Sequence, residues 1–160
     1  KVSNSKIIIN SDETEIIKLI KSPNNLEKFH PFCKKNKVEV WDKEKSIDFV
    51  EYHNNKIYKR KFIDWGDNGY NLDIYEKRKL ANISWNVVKI SNNKSSLIIT
   101  AVPHLPFKYK IINQLIFKLY VKHMLKNYLN SVVKGLKYYI ETKNIIKEDQ
   151  FGKHMWYSSY

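Results

Sequence analysis

Period-two runs dominate the middle of the chain. From residue 37 onward, "KVEVW", "SIDFVEY", "KIYKRKFIDW", "YNLDIYEK", "ANISWNVVKI" and "SSLIITAV" alternate apolar and polar residues, as half-buried strands do. Short polar links part them at Asp42–Lys45, Asn54-Asn55, Gly66–Gly69, Arg78-Lys79 and Asn92–Lys94. Links this short join antiparallel neighbours, because a parallel crossover takes a dozen residues or more. The pattern predicts a six-stranded meander.

Ahead of the meander, "SKIIIN" (residues 5–10) predicts a first strand and "SDETEIIKLI" an amphipathic helix. Ser11 stands as the N-cap, acids fill the first turn, and Ile16, Ile17, Leu19 and Ile20 form the apolar face. Ser22-Pro23-Asn24 ends this helix, since proline brings no N–H and restricts the residue before it. "NNLEKF" predicts one more short helix before His30-Pro31-Phe32-Cys33. After Pro103 and Pro106, "FKYKIINQLIFKLYVKHMLKNYLNSVVKGLKYYIET" changes to a helical period. Its apolar stripe runs through Ile112, Ile116, Leu119, Tyr120, Met124, Tyr128, Val132, Leu136 and Tyr139. About 35 residues at 1.5 Å each make a helix of roughly 50 Å, long enough to cross a whole sheet.

The order strand, two short helices, six strands and a long helix predicts an α+β fold. A seven-stranded curved antiparallel sheet (β-α-α-β6-α) wrapped around the C-terminal helix buries one sheet face and one helix stripe. Residues 1–144 form this domain. Residues 145–160, "IIKEDQFGKHMWYSSY", are aromatic-rich without periodicity and are expected to pack on it as an irregular tail.

Asn54-Asn55 reads as a two-residue hairpin turn, since Asn tolerates positive φ. That register faces Ile47, Phe49 and Glu51 inward with Tyr58, Arg60 and Phe62, and the following strands add Tyr70, Leu72, Ile74, Ile83, Trp85, Val87, Leu97, Ile99 and Ala101. Glu51 and Arg60 then lie diagonally, either as a polar anchor in an apolar pocket or as a solvated pair at the sheet rim. Trp65 and Trp85 suit cavity walls, each with one donor. Gly135, on the helix stripe, leaves room for a ligand or for close helix–sheet packing.

This element order, over residues 5–142, resembles the START-like (SRPBCC) superfamily, with the helix-grip fold of birch-pollen allergens and polyketide cyclases. The segment "IIINSDETEIIKLIKSPNNLEKFHPF", the stretches "EYHNNKIYKRKFIDW", "GYNLDI" and "ISW", and the tail "QFGKHMWYS" resemble an uncharacterised bacterial branch of it. The resemblance implies an apolar cavity between sheet and last helix that takes lipids, polyketides, quinones or similar molecules. Phe49, Glu51, Tyr58, Arg60, Phe62 and Trp65 are its expected ligand-binding residues, with Tyr70, Leu72, Trp85, Ile99, Ile116 and Tyr120. His30, Phe32 and Phe107 are expected at its mouth. No cofactor is implied. A cyclase- or dehydratase-like enzyme in the same cavity is the alternative, with Glu51, Tyr58, Arg60 and His30 as candidate catalytic groups.

Composition narrows the remaining classes. The net charge of +13 invites a nucleic-acid reading, but the lysines are spread along the chain and arginines are few, so solvated surface is favoured. One cysteine forbids an internal disulfide. The N-terminus shows no signal-like segment, and no run approaches the roughly 18 apolar residues of a spanning helix. The expectation is a soluble cytoplasmic protein, monomeric or weakly dimeric, without stable membrane insertion. His30 and Cys33 stand three apart, but no third group orients them, so a loop-lining role is favoured over a nucleophile. The five histidines are scattered without metal-ligand spacing, and no GxGxxG, P-loop or GxSxG is present. The long basic helix has an interfacial look, but its apolar stripe is assigned to covering the sheet.

Overall fold

The alternating runs build one seven-stranded antiparallel sheet in the computed structural model, which describes residues 1–160. In chain order the elements are β1 (Ser3–Ile9), α1 (Glu13–Ile20), α2 (Leu26–Phe29), β2 (Cys33–Val40), β3 (Ile47–Tyr52), β4 (Ile57–Gly66), β5 (Gly69–Tyr75), β6 (Lys79–Ser91) and β7 (Lys94–Pro103). The long helix follows as α3 (Lys110–Ile116), a π-helical turn at Phe117–Val121, and α4 (Lys122–Thr142). Strand order is β1-β7-β6-β5-β4-β3-β2, so the first strand pairs with the last and the meander fills the rest. Ile9, Leu72, Leu97 and Ile99 of the sheet meet Leu129, Val132 and Leu136 of α4 in one core, with Ile16, Ile20 and Phe29 from the two short helices. The architecture is the predicted α+β helix grip.

Three local expectations change. The N-cap of α1 is Asp12, whose carboxylate accepts from Glu15 N at 2.8 Å, while the Ser11 hydroxyl donates to the Glu15 carboxylate at 2.6 Å. β2 begins at Cys33, ahead of the expected Lys37. Pro31 sits inside a tight turn closed by Cys33 N donating to His30 O, and that turn feeds the strand directly.

The third change has the widest effect. The β3–β4 loop holds three residues, His53, Asn54 and Asn55, not two: Tyr52 N donates to Lys56 O, and Asn55 takes a left-handed φ of 65°. The extra residue moves the pairing by one, so Asp48 opposes Arg60 and Val50 opposes Tyr58. Tyr58, Arg60 and Phe62 keep their expected face, but on β3 it is Asp48, Val50 and Tyr52 that are buried. Ile47, Phe49 and Glu51 face away. Glu51 pairs with Lys34 at 3.0 Å on the outer surface.

The helix stripe is also displaced. Buried positions run Phe117, Val121, Leu125, Leu129, Val132, Leu136 and Ile140. The predicted stripe merges with this one at Val132 and diverges toward the N-terminus. The π-helical turn at Phe117–Val121 holds one more residue than an α-turn, so the residues before it meet the sheet in a different phase from those after it. Ile112, Leu119 and Tyr120 are exposed and Ile116 is only half-buried.

Candidate functional site

Sheet and α4 enclose a cavity of about 360 Å3, and 20 of its 26 lining residues are hydrophobic. Leu72, Ile74, Ile83, Trp85, Ile99 and Ala101 form the sheet wall; Val121, Leu125, Leu129 and Val132 form the helix wall. Polar and basic groups gather at one end. Lys56, Arg78 and His104 flank the start of β4, the start of β6 and the end of β7, which antiparallel pairing brings to the same edge of the grip. Leu105 and Trp156 complete that rim.

Two polar constructions face this apolar space. In the first, Arg60 donates from Nε to Asp48 Oδ1 at 2.7 Å and from Nη2 to Asp48 Oδ2 at 2.5 Å, with both side chains buried. Burial opposes the guanidinium charge, but the Asp48 carboxylate overrides it and holds Arg60 above its ordinary pKa range. Asn36 donates to Asp48 Oδ2 at 2.9 Å, so three strands share the carboxylate.

The second is a hydroxyl relay. His30 Nδ1 accepts from Phe32 N at 3.3 Å, and His30 Nε2 lies 2.8 Å from Tyr128 Oη. Burial pushes the His30 pKa down to about 3, with the Arg60 and His53 charges adding to it. The imidazole is therefore neutral, and a ring that accepts at Nδ1 carries its single proton on Nε2 and donates it to Tyr128. Tyr128 Oη is in turn 3.2 Å from Tyr52 Oη. These two hydroxyls bring two protons, and one suffices for the bond between them. Whichever way that bond runs, the other proton is left for an acceptor in the cavity. Burial raises both hydroxyls well above the ordinary tyrosine range, so they act as donors and not as phenolates. Tyr157 of the tail stacks on Tyr52 at 4.3 Å between centroids and closes the cluster.

His30 also predicts a pH response. Its folded pKa of about 3 lies below the ~6.5 of an unfolded chain, so between these values the unfolded state binds the extra proton. Stability is then lost as pH falls from 6.5 toward 3. The expected slope approaches roughly 1.4 kcal/mol per pH unit from this residue. Buried His154, whose Nε2 bonds Met124 O at 3.0 Å, is lowered too and adds the same sign. Urea titrations at pH 7, 6 and 5 should show a shallower slope for His30→Gln; an unchanged slope refutes the assignment.

The expected site residues divide. Tyr58, Arg60, Leu72, Trp85, Ile99 and His30 line the cavity. Phe49 and Glu51 do not; with Lys35, Lys37 and Ile57 they border a depression on the outer face. Phe62, Trp65 and Tyr70 pack with one another and with Trp41 beyond the cavity, toward the closed end of the sheet. Phe32 lies buried under Tyr128, outside the lining, and Phe107 is exposed. Ile116 and Tyr120 precede the first lining residue of the helix, Val121. Cys33 is buried and its thiol is pushed up to about 12 by burial, which rules against a thiolate nucleophile. Gly135 does not border the cavity; it fits against the Phe29 carbonyl. Sequence reasoning missed Asp48 and Tyr52, which lay on the face set aside by the two-residue turn. It also missed Trp156 and Tyr157, whose segment has no period to read. Tyr128 was on the stripe, and only its partner His30, 98 residues away, marks it as polar machinery.

Sheet, cavity and long helix together make a helix-grip architecture. Among solved structures, the chain is similar to norcoclaurine synthase from Thalictrum flavum, at 11% identity and a TM-score of 0.67 over 88% of this chain and 86% of that one. It is similar to a START superfamily protein from Mycobacterium smegmatis at 9% identity and a TM-score of 0.55, over 83% and 97% of the chains. It also matches the di-domain ARO/CYC BexL at 8% identity and a TM-score of 0.66, over 89% of this chain and 48% of that one. At these identities the likeness is one of fold. No family profile matches the chain, and no curated protein does.

Proposed function

We propose that this protein binds a small, largely apolar molecule bearing one hydrogen-bond acceptor, such as a carbonyl oxygen, in the cavity between sheet and α4. The observation that carries this reading is the spare hydroxyl proton of the Tyr52–Tyr128 pair in an otherwise apolar space. Ligand sites commonly combine apolar walls with few oriented polar groups. The norcoclaurine synthase structure, a complex with dopamine and hydroxybenzaldehyde, is an instance of this fold holding small aromatic molecules. Binding fits the site better than turnover. A cyclase or dehydratase needs a base, yet His30 has Nδ1 occupied by the Phe32 amide and its proton on Nε2.

The test uses 2-acetylnaphthalene and its hydrocarbon counterpart 2-ethylnaphthalene, titrated against tryptophan fluorescence, since Trp85 and Trp156 both line the cavity. The ketone should bind more tightly, and Tyr52→Phe/Tyr128→Phe should erase that preference, a loss of about fivefold for one neutral hydrogen bond. No quenching by either compound, or a preference that survives in the double variant, sinks the proposal.

A further inference from the structure

The first half of the long helix is apolar on a side that covers nothing. Ile111, Leu115 and Leu119 are 78%, 57% and 71% exposed, and they follow one another at four-residue steps along a single face. Ile112 and Tyr120 extend that face, and Phe107 and Tyr109 stand exposed just before it. Single exposed apolar residues are ordinary, but a contiguous row of them on one helix marks a surface that meets something. Exposed Lys108, Lys110, Lys118 and Lys122 flank the row. Between Glu76 and Glu141 the chain contains not one Asp or Glu. The lysines are spread along the sequence; the carboxylates are not.

We propose that this face, from Phe107 through Tyr120, docks on the surface of an anionic lipid bilayer. A second copy of the chain is the poorer occupant: it would set the same unpaired lysines against each other with no local carboxylate to offset them. Lysine is also depleted from protein interfaces. An anionic bilayer supplies the complementary charge, and lysine stems lie along the apolar row while their ammonium groups reach the headgroups. The helix lies in the interface and does not span it: α3 has only seven residues, and no helix is long and apolar enough to cross a membrane. The face also adjoins the cavity rim. Trp156 Nε1 donates to Tyr120 Oη at 3.2 Å, Tyr120 reaches Met155 Sδ at 3.6 Å, and Trp156 lines the cavity. Resting on the ligand reading above, this junction puts the mouth against the bilayer, where a sparingly soluble ligand enters without crossing water.

Co-sedimentation with vesicles tests the docking without any ligand. Vesicles of phosphatidylcholine alone are compared with vesicles containing about 30% phosphatidylglycerol, at low and high salt. The protein should bind the anionic vesicles and leave the neutral ones. Leu115→Glu/Leu119→Glu should reduce binding about tenfold, and Lys118→Gln/Lys122→Gln should weaken it and flatten its salt dependence. All four residues are exposed, and circular dichroism melts of each variant confirm that the fold is kept. Absence of binding at low salt overturns the proposal. So does binding indifferent to the leucine substitutions, which is lysine adsorption alone. A dimer in sedimentation velocity that Leu115→Glu/Leu119→Glu dissolves, without vesicle binding, gives the face to a second copy and also overturns it. Failure here leaves the ketone titration unaffected, and failure of the titration leaves the vesicle result standing.

Discussion

Asp48→Ala is expected to cost about 3–5 kcal/mol of folding stability, the range found when one partner of a buried ion pair is removed. Both members are buried, so the substitution strands the Arg60 guanidinium beside an apolar cavity with two donors unmet. It also removes one of the two acceptors of the Asn36 amide, leaving it only the Phe49 carbonyl and loosening the β2 edge of the sheet. The double variant Asp48→Leu/Arg60→Met should recover most of the loss, because the expense lies in the uncompensated charge and not in the missing bond. Urea unfolding of the single and double variants gives the comparison. Equal loss in both would mean that Asp48 matters for strand geometry, and the charge account would fail.

Gly135→Ala is expected to destabilise the fold by about 3 kcal/mol, although alanine is the better helix former by roughly 1 kcal/mol. A Cβ at this position would stand 2.1 Å from the Phe29 carbonyl oxygen and 3.2 Å from Pro31 Cδ. The obstacle is backbone, tied down where His30 N donates to Leu26 O and Asp149 N donates to Pro31 O. It cannot yield as a side-chain tip would. Gly66→Ala is the matched comparison, since a Cβ there meets nothing within 4 Å, and it should fall within about 0.5 kcal/mol of the parent. A Gly135→Ala protein as stable as Gly66→Ala would show that α4 does not press on the α2–β2 turn. Because that turn also carries His30, the substitution should disturb the hydroxyl relay as well.

Element order, sheet content and the inward faces of β5 to β7 were readable from the sequence because those strands have a clear contrast. Leu72 and Ile74 alternate with Asn71 and Asp73, and Ile83 and Trp85 alternate with Asn82, Ser84 and Asn86. β3 has no such contrast. It carries an acid on each face, Asp48 and Glu51, and large apolar residues on both, so only the loop length selects between them. Asn54-Asn55 looks like a complete turn; the tertiary bond from Asn54 N to Tyr157 O and the left-handed Asn55 show that His53 belongs to the loop too. Nothing local announces a partner in the tail more than 100 residues on. The relay was hidden for the same reason. His30 and Tyr128 are ordinary residues of a turn and a helix until the grip closes and desolvates them together.

The π-helical turn at Phe117–Val121 divides one continuous rod into two zones of constraint. Beyond Val121, each apolar residue answers to the cavity and the sheet, and a change of size is felt in the core. Before it, Ile111, Ile112 and Leu115 are exposed and bear on no part of the core, and only Ile116 still touches it. Substitutions at these exposed positions change the outer surface and leave the core packing as it is. One helix thus carries two surfaces, an inner one held to the shape of the core and an outer one under no such constraint.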